Sequence, residues 1–303
     1  SGSPTTGDEF PSVSAALYTL LMHVLRVLAR PALWWLGRKV PAYRERWSER
    51  RGHVVLPAAA RGGVVIHGAS MGEVMAALPL VRALRTERSH LPLVVTCTTP
   101  TGAALVHERL GNAVHHCYLP IDTPGAARRF LAAVQPQCLV LLETEIWPNL
   151  LQAAQDRGVR VVLANARLSE RSARRYANFK SLTQKALCNI DLLLAQDETA
   201  RDRFVALGAA PARTLVSGSL KYDTPLPAAH EATLAHFRKL VAGRRVWVAA
   251  STHEGEEAIV LQAQRSALAR SPEVLLVLVP RHPQRFEAAA LEVQRKDLTM
   301  VRR

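Results

Sequence analysis

Val64-Val65-Ile66-His67-Gly68-Ala69-Ser70-Met71-Gly72-Glu73-Val74-Met75-Ala76-Ala77-Leu78 reads as three consecutive pieces of structure. The β-branched opening is a short strand, the segment with two glycines and a serine is a tight turn, and the apolar-periodic remainder is a helix. In α/β sheets a turn of this kind lies at the carboxyl ends of the strands, where ligands bind. It also places Glu73 in the first helical turn, where unpaired N–H groups and the helix dipole favour a carboxylate. Two readings of Glu73 stay open at this level: a general base on a crevice floor, or an acid that only complements the dipole.

Outward from that stretch, short apolar runs alternate with amphipathic segments as far as Val216. The runs Val64–His67, Leu93–Cys97, His115–Tyr118, Cys138–Leu142, Arg160–Leu163, Leu192–Ala195 and Thr214–Ser217 read as strands, with helices between them opened by Thr, Pro or Ser. Such alternation predicts right-handed βαβ units and a mostly parallel sheet buried on both faces. Pro79 predicts a kink or an early end in the first of these helices. Residues 218–227 are polar and Gly/Pro-bearing and read as a linker between domains. Beyond it the pattern restarts, with a helix near His230–Val241, strands at Val246–Ala250 and Val274–Val279, and a turn from Ser251 to Glu256. Two strands are too few to bury a helix-covered sheet, so the expectation is a first Rossmann-like domain over 53–217 and an incomplete second one over 228–303.

Residues 1–9 are small and polar and read as a disordered leader or an engineered remnant. Within 10–52, Leu17, Leu20, Leu21, Val24, Val27 and Leu28 follow helical spacing, interrupted by His23, Arg26 and Arg30. The unbroken apolar length is about a dozen residues, against roughly 20 to span a bilayer, and no basic segment precedes it as in a signal peptide. Trp34-Trp35 and the cluster Arg38, Lys39, Arg44, Arg46, Arg50 and Arg51 follow. Together they describe a helix lying in the interface of an anionic membrane; an ordinary core helix beside a solvated basic segment is the alternative.

The chain has 303 residues, 49% hydrophobic and 21% charged, which is globular composition, and a formal net charge of +14, which calls for anionic partners. Nucleic acid is not favoured, because the basic residues are dispersed and carry no recognised binding signature. The four cysteines stand apart with no C-x-x-C pair and read as buried free thiols in a reducing compartment. No metal spacing is present; His115 and His116 are adjacent on a strand and face opposite sides.

Three further stretches carry chemistry-bearing side chains at strand ends. Glu143 and Glu145, after the strand Cys138–Leu142, share a face if the chain stays extended; they form either a site or a solvated loop closed by Trp147. Asn165 and Arg167 follow the next strand, with Ser169 as an N-cap, and Arg167 either clamps a phosphate or is solvated. In the second domain Ser251 and Thr252 lie at a strand-to-helix turn suited to a phosphate, and Arg281 and His282 leave the neighbouring strand. None of these is specific alone, since there is no P-loop and no dinucleotide fingerprint.

Jointly the chain resembles the 3-deoxy-D-manno-octulosonic acid (Kdo) transferases of lipopolysaccharide synthesis. The resemblance is carried in order by Gly68-Ala69-Ser70-Met71-Gly72-Glu73-Val74, Thr98-Thr99-Pro100-Thr101-Gly102, Tyr118-Leu119-Pro120-Ile121-Asp122-Thr123-Pro124 and Glu143-Thr144-Glu145-Ile146-Trp147-Pro148-Asn149. It continues through Leu163-Ala164-Asn165-Ala166-Arg167-Leu168-Ser169, Ala249-Ala250-Ser251-Thr252-His253-Glu254-Gly255-Glu256-Glu257 and Val279-Pro280-Arg281-His282-Pro283. It implies a GT-B glycosyltransferase with CMP-Kdo as co-substrate, a lipid A precursor as acceptor, no metal or other cofactor, and docking on the cytoplasmic face of the inner membrane. It gives Glu73 the role of base in an inverting displacement and Glu145 that of a second acid. It puts Ser251, Thr252, Arg281 and His282 at the CMP moiety, and Ser70, Gly72, Asn165 and Arg167 on the acceptor side. Members continue for roughly another hundred residues, an ordinary amount for completing a domain, so a chain of this length alone is expected to bind CMP poorly. A UDP-sugar transferase of the same fold and a non-catalytic membrane scaffold are the competing readings.

Overall fold

The computed structural model describes residues 13–223, 230–241 and 243–302. It divides into two units, Ser1–Pro225 and Leu226–Arg303, each with its own parallel sheet. The expected leader at 1–9 lies outside the described residues, as do positions 224–227 of the expected linker. The first part of that linker belongs structurally to the first unit: Leu220–Asp223 forms a 3-10 turn whose Leu220 N–H donates to Asn165 Oδ1 at 3.1 Å.

The first unit opens with α1 (Val13–Leu36) and continues β1 (Val64–His67), α2 (Met71–Glu87), β2 (Leu93–Cys97), α3 (Pro100–Leu110), β3 (His115–Tyr118), α4 (Pro124–Val134) and β4 (Cys138–Leu142). It ends with α5 (Pro148–Gln155), β5 (Arg160–Ala166), α6 (Glu170–Ala177), α7 (Lys180–Cys188), β6 (Leu192–Ala195), α8 (Glu198–Ala206) and β7 (Thr214–Val216). All seven strands are parallel, in the order β3-β2-β1-β4-β5-β6-β7. The strands are nearly continuous runs of Val, Leu and Ile because helices cover both faces, and alternation would leave polar groups in the core. Thr99, Ser70 and Ser169 cap α3, α2 and α6 by accepting N–H bonds from the first turn, and Pro100, Pro124 and Pro148 stand at first helical positions where their missing N–H costs nothing.

Two local expectations need correction. Pro79 does not end α2, which runs through it to Glu87. A proline inside a helix costs about 3 kcal/mol, and the burial of Val74, Ala77, Leu78 and Val81 against the sheet offsets that. Nor is the N-terminal helix short of a span by length and composition, as its unbroken apolar run of about a dozen residues suggested. Arginine is a good helix former, so Arg26 and Arg30 interrupt the apolar run without interrupting the helix. Ser14–Leu36, with a mean hydropathy of 1.3, is long and apolar enough by length and composition to cross a membrane. One stripe of α1 faces the sheet unit: Tyr18 Oη donates to Asp122 Oδ2 at 2.8 Å and Thr19 Oγ1 to Asn149 Oδ1 at 3.1 Å. The other faces, with Leu17, Leu20, Leu21, Val24, Val27, Trp34 and Trp35, are exposed.

The second unit contains α9 (His230–Val241), β8 (Val246–Thr252), α10 (Glu256–Leu268), β9 (Leu275–Pro280) and α11 (Phe286–Arg295). Its two strands pair in parallel, with a register shift between Ala250 and Thr252. The four cysteines are free; Cys97 and Cys117 are buried, whereas Cys138 is half-buried and Cys188 is exposed.

Candidate active site

The strand order locates the site. After β3 the chain returns to lay β4 on the other side of β1, so β1 and β4 are neighbours whose following loops turn in opposite directions. That reversal opens a crevice at the carboxyl ends of the two strands, where α/β folds bind ligands. The Gly68–Glu73 turn leaves β1 there, and Glu143–Trp147 leaves β4.

Glu73 is held by the first turn of α2. Its Oε2 accepts the Ala69 N–H at 2.8 Å and its Oε1 accepts the Ser70 hydroxyl at 3.0 Å, while the Glu73 N–H donates to Ser70 Oγ at 3.3 Å. Burial raises its pKa above the ordinary glutamate value, opposed by the Ala69 and Ser70 bonds and reinforced by the charges of Glu145 and Glu143. Gly68 permits this approach. A Cβ there would stand 2.9 Å from the Glu73 carbonyl carbon and the Val74 nitrogen, so the helix enters tightly against the strand end. At Gly72 the nearest atom to a built Cβ is Ser70 Oγ at 3.8 Å, so nothing in the unit requires a glycine at that position.

The expectation that Glu143 and Glu145 share a face is overturned. Glu143 adopts a left-handed φ of 56°, which ends the strand and sends the two carboxylates to different partners. Glu143 accepts from Arg167 Nε at 2.6 Å. Glu145 accepts from the Trp147 indole at 2.8 Å and faces His67 Nε2 at 3.4 Å. Arg167 is therefore already committed to an acid, and its exposed guanidinium keeps other donors free. Asn165 is buried with φ 52°; its Oδ1 holds Leu220, and its Nδ2 has no hydrogen-bond partner. The structure thus gathers Ser70, Glu73 and Glu145 at the β1–β4 crevice, with Arg167 bonded to Glu143 beside them.

Two residues at this edge carry more than their sequence context suggested. His67 ends β1 fully buried, with Nδ1 against Thr96 Oγ1 at 2.9 Å and Nε2 toward Glu145. A polar residue closing an apolar strand directly before a glycine turn was the available signal. Asp122 is buried and accepts from Tyr18 Oη and from the Asn149 and Leu150 N–H groups, tying α1 and the start of α5 to one carboxylate. Nothing in its surrounding pattern pointed to that role.

In the second unit Thr252 is the last residue of β8 and not part of a helix-opening turn: α10 begins at Glu256. Its hydroxyl donates to Glu257 Oε1 at 3.3 Å, and its carbonyl accepts the Arg281 N–H at 3.0 Å. Ser251 takes a left-handed φ of 60° at the register shift. His282 packs edge-on to His253, with ring centroids 6.4 Å apart. Thr252, Arg281 and His282 therefore meet at the carboxyl edge of this sheet. Arg285, absent from the sequence reading, bonds Glu257 through Nη2 at 3.1 Å and pairs with Glu254 at 3.3 Å. Among the described residues no three His, Cys, Asp or Glu side chains converge as a metal ion would require.

Comparison with known proteins gives the family of the chain. Residues 45–224 match the family model described as 3-deoxy-D-manno-octulosonic-acid transferase (kdotransferase). A 3-deoxy-D-manno-octulosonic acid transferase of Haemophilus influenzae is 39% identical over 288 residues, covering 94% of this chain and 67% of that protein. One from Bordetella pertussis is 40% identical, covering 95% of this chain and 68% of that one. The chain belongs to the Kdo transferase family. It is accordingly a glycosyltransferase by family, spanning about two thirds of the length of these relatives. Solved structures support the fold alone. A UDP-GlcNAc 2-epimerase of Neisseria meningitidis aligns with TM-score 0.57 at 13% identity, covering 78% of this chain and 70% of the other. A glycosyltransferase of Rickettsia africae aligns with TM-score 0.52 at 10% identity, covering 78% and 66%. The expected fold class holds: the architecture is α/β, of the GT-B class, with parallel Rossmann-like sheets.

Proposed function

We propose that this chain, within the Kdo transferase family, transfers Kdo from CMP-Kdo to a lipid A precursor with Glu73 as general base. The observation that carries the reading is a half-buried carboxylate at the β1–β4 switch point, raised in pKa by burial and by Glu145. Both Glu73 oxygens accept one hydrogen bond, and a carboxylate offers about four lone-pair sites, so a substrate hydroxyl can still be received. In the step, the acceptor hydroxyl gives its proton to Glu73 as its oxygen bonds the anomeric carbon of Kdo. The bond from that carbon to the CMP phosphate breaks, and CMP leaves with the electron pair. Glu145 orients acceptor or donor, and Arg167, Asn165, Ser70 and Gly72 border the acceptor. Ser251, Thr252, Arg281 and His282 hold the CMP moiety; no metal or additional cofactor takes part. The exposed apolar face of α1 with Trp34, Trp35 and the following arginines seats the chain on the anionic cytoplasmic face of the inner membrane.

The Ser70–Glu73 bonds also match a helix-capping arrangement, which favours the reading of Glu73 as a purely structural residue in a membrane scaffold. Transfer of radiolabelled Kdo from donor generated in situ to tetra-acylated lipid A precursor separates the two. The assay compares this chain with a form extended by the remaining third of its relatives' length. Product from either form supports the proposal, and none from both, each folded, rejects it.

A further inference from the structure

A cavity of about 400 Å³ lies between α1 and the loops at the carboxyl edge of the first sheet. This is within the range of small-molecule sites. Met22, Leu25, Ala29 and Ala32, one stripe of α1 at intervals of three, four and three residues, form one wall. Leu119, Pro120, Ile121 and Trp147 form the other.

Two ionisable residues break this apolar lining, Arg50 and Asp122, and the Asp122 carboxylate is already taken up by Tyr18 Oη and the Asn149 and Leu150 N–H groups. Arg50 borders the cavity and is 6% exposed. One guanidinium nitrogen donates to the Thr98 carbonyl at 3.0 Å, and the group lies 4.3 Å from the Tyr118 ring centroid. Its Nε has no hydrogen-bond partner, and among the described residues Arg50 forms no ion pair. A buried guanidinium that forms no ion pair is costly in a lone protein and becomes favourable once an anion arrives. An apolar channel that holds one cation without an ion-pair partner, and one acid whose oxygens are already bonded to Tyr18, Asn149 and Leu150, is complementary to an amphiphile that carries a hydrocarbon chain and a phosphate.

Two walls of the cavity connect to the catalytic carboxylates. Thr98 Oγ1 donates to the Ala69 carbonyl, and the Ala69 N–H holds Glu73. Trp147 donates its indole N–H to Glu145. An occupant of the cavity therefore touches the same residues that orient the reacting groups, which a bulk membrane lipid has no reason to do.

We propose that this cavity seats one acyl chain of the phosphorylated lipid acceptor, with Arg50 taking an acceptor phosphate. The inference rests on the reading of the acceptor as a lipid A precursor and adds where its tail is bound. The site measures acyl length as well as head group, and binding there aligns the sugar with Glu73.

The test uses the chain as it stands and calorimetric binding of dodecyl phosphate and tetra-acylated lipid A precursor, with dodecanol and inorganic phosphate as single-group controls. Dodecyl phosphate should bind at least about tenfold more tightly than either control, and the lipid precursor should displace it. Ala29→Trp and Ala32→Phe, which fill the cavity from α1, should weaken both ligands about tenfold or more, with melting temperature checked for each variant. Unchanged binding in both well-folded variants, equal binding of dodecanol and dodecyl phosphate, or failure of the lipid precursor to displace overturns the proposal. A parallel Kdo-transfer assay distinguishes the two levels: transfer to the lipid precursor that neither filled variant alters rejects the cavity and leaves the proposed function standing. Absence of lipid-precursor binding, together with absence of transfer from both this chain and the extended form, rejects both.

Discussion

His67 Nε2 stands 3.4 Å from Glu145 Oε2, so the last residue of β1 and the loop after β4 meet across the crevice that the strand reversal opens. The same imidazole spends Nδ1 on Thr96 Oγ1 at the end of β2. One buried ring thus spans three strands and presents a nitrogen to an acid that raises the pKa of Glu73. His67→Leu leaves Thr96 without its buried partner, and stability should fall by about 1–3 kcal/mol. A denaturant midpoint unchanged from wild type would refute this.

Glu73→Gln preserves the shape of the side chain and removes its basicity. Transfer should fall on the order of 10²–10⁴-fold with the melting temperature close to wild type, measured in a form that shows transfer. Retained activity would return Glu73 to a capping role.

Glu145→Gln tests the coupling between the two acids. A base works in its ionised form, so kcat/KM should rise with pH through the pKa of Glu73, which lies above the ordinary glutamate value. Removing the Glu145 charge lowers that pKa, so the acidic limb should move to lower pH. Burial, the larger cause, remains, so the shift should be partial. Glu145→Asp keeps the charge and should leave the limb in place. An unmoved limb in the Gln variant would show that the two carboxylates do not interact.

Gly68 and Gly72 should respond oppositely to alanine. At 68 the new methyl meets backbone atoms at 2.9 Å, which forces a shift and should cost about 1–3 kcal/mol. At 72 it meets nothing closer than 3.8 Å within a helix, where alanine is favoured by roughly 0.5–1 kcal/mol. Thermal melts of the two variants check the contrast.

Asp122 supplies a pH signature. Burial pushes its carboxyl up to about 6 from an ordinary 3.8, against the bonds it accepts from Tyr18, Asn149 and Leu150. The folded chain therefore holds this proton more tightly than the unfolded one. The associated stability is complete below about pH 4 and is lost as pH rises to about 6, a span worth about 3 kcal/mol. Asp122→Asn should flatten that part of the stability–pH curve, as measured by denaturation from pH 4 to 7. An equally steep curve would show that another group titrates there.

The sequence by itself determined the local elements and the class of fold. Short apolar runs such as residues 64–66 and Cys138–Leu142, alternating with amphipathic segments, read as buried strands, and Ser, Thr and Pro at helix starts act on their own first turn, so both signals are complete within a few residues. Glu73 was visible because its position follows from one turn, and the family motifs lie contiguously along the chain. What only the tertiary structure decided is which loops meet. Strand order brings Glu73 beside Glu145, a left-handed residue turns Glu143 away to Arg167, and the docking of α1 gives Tyr18 to Asp122 and encloses Arg50. These pairings join residues 24 to 104 positions apart. Their energies depend on packing that no local pattern encodes, which is why the candidate residues were legible one by one and their geometry was not.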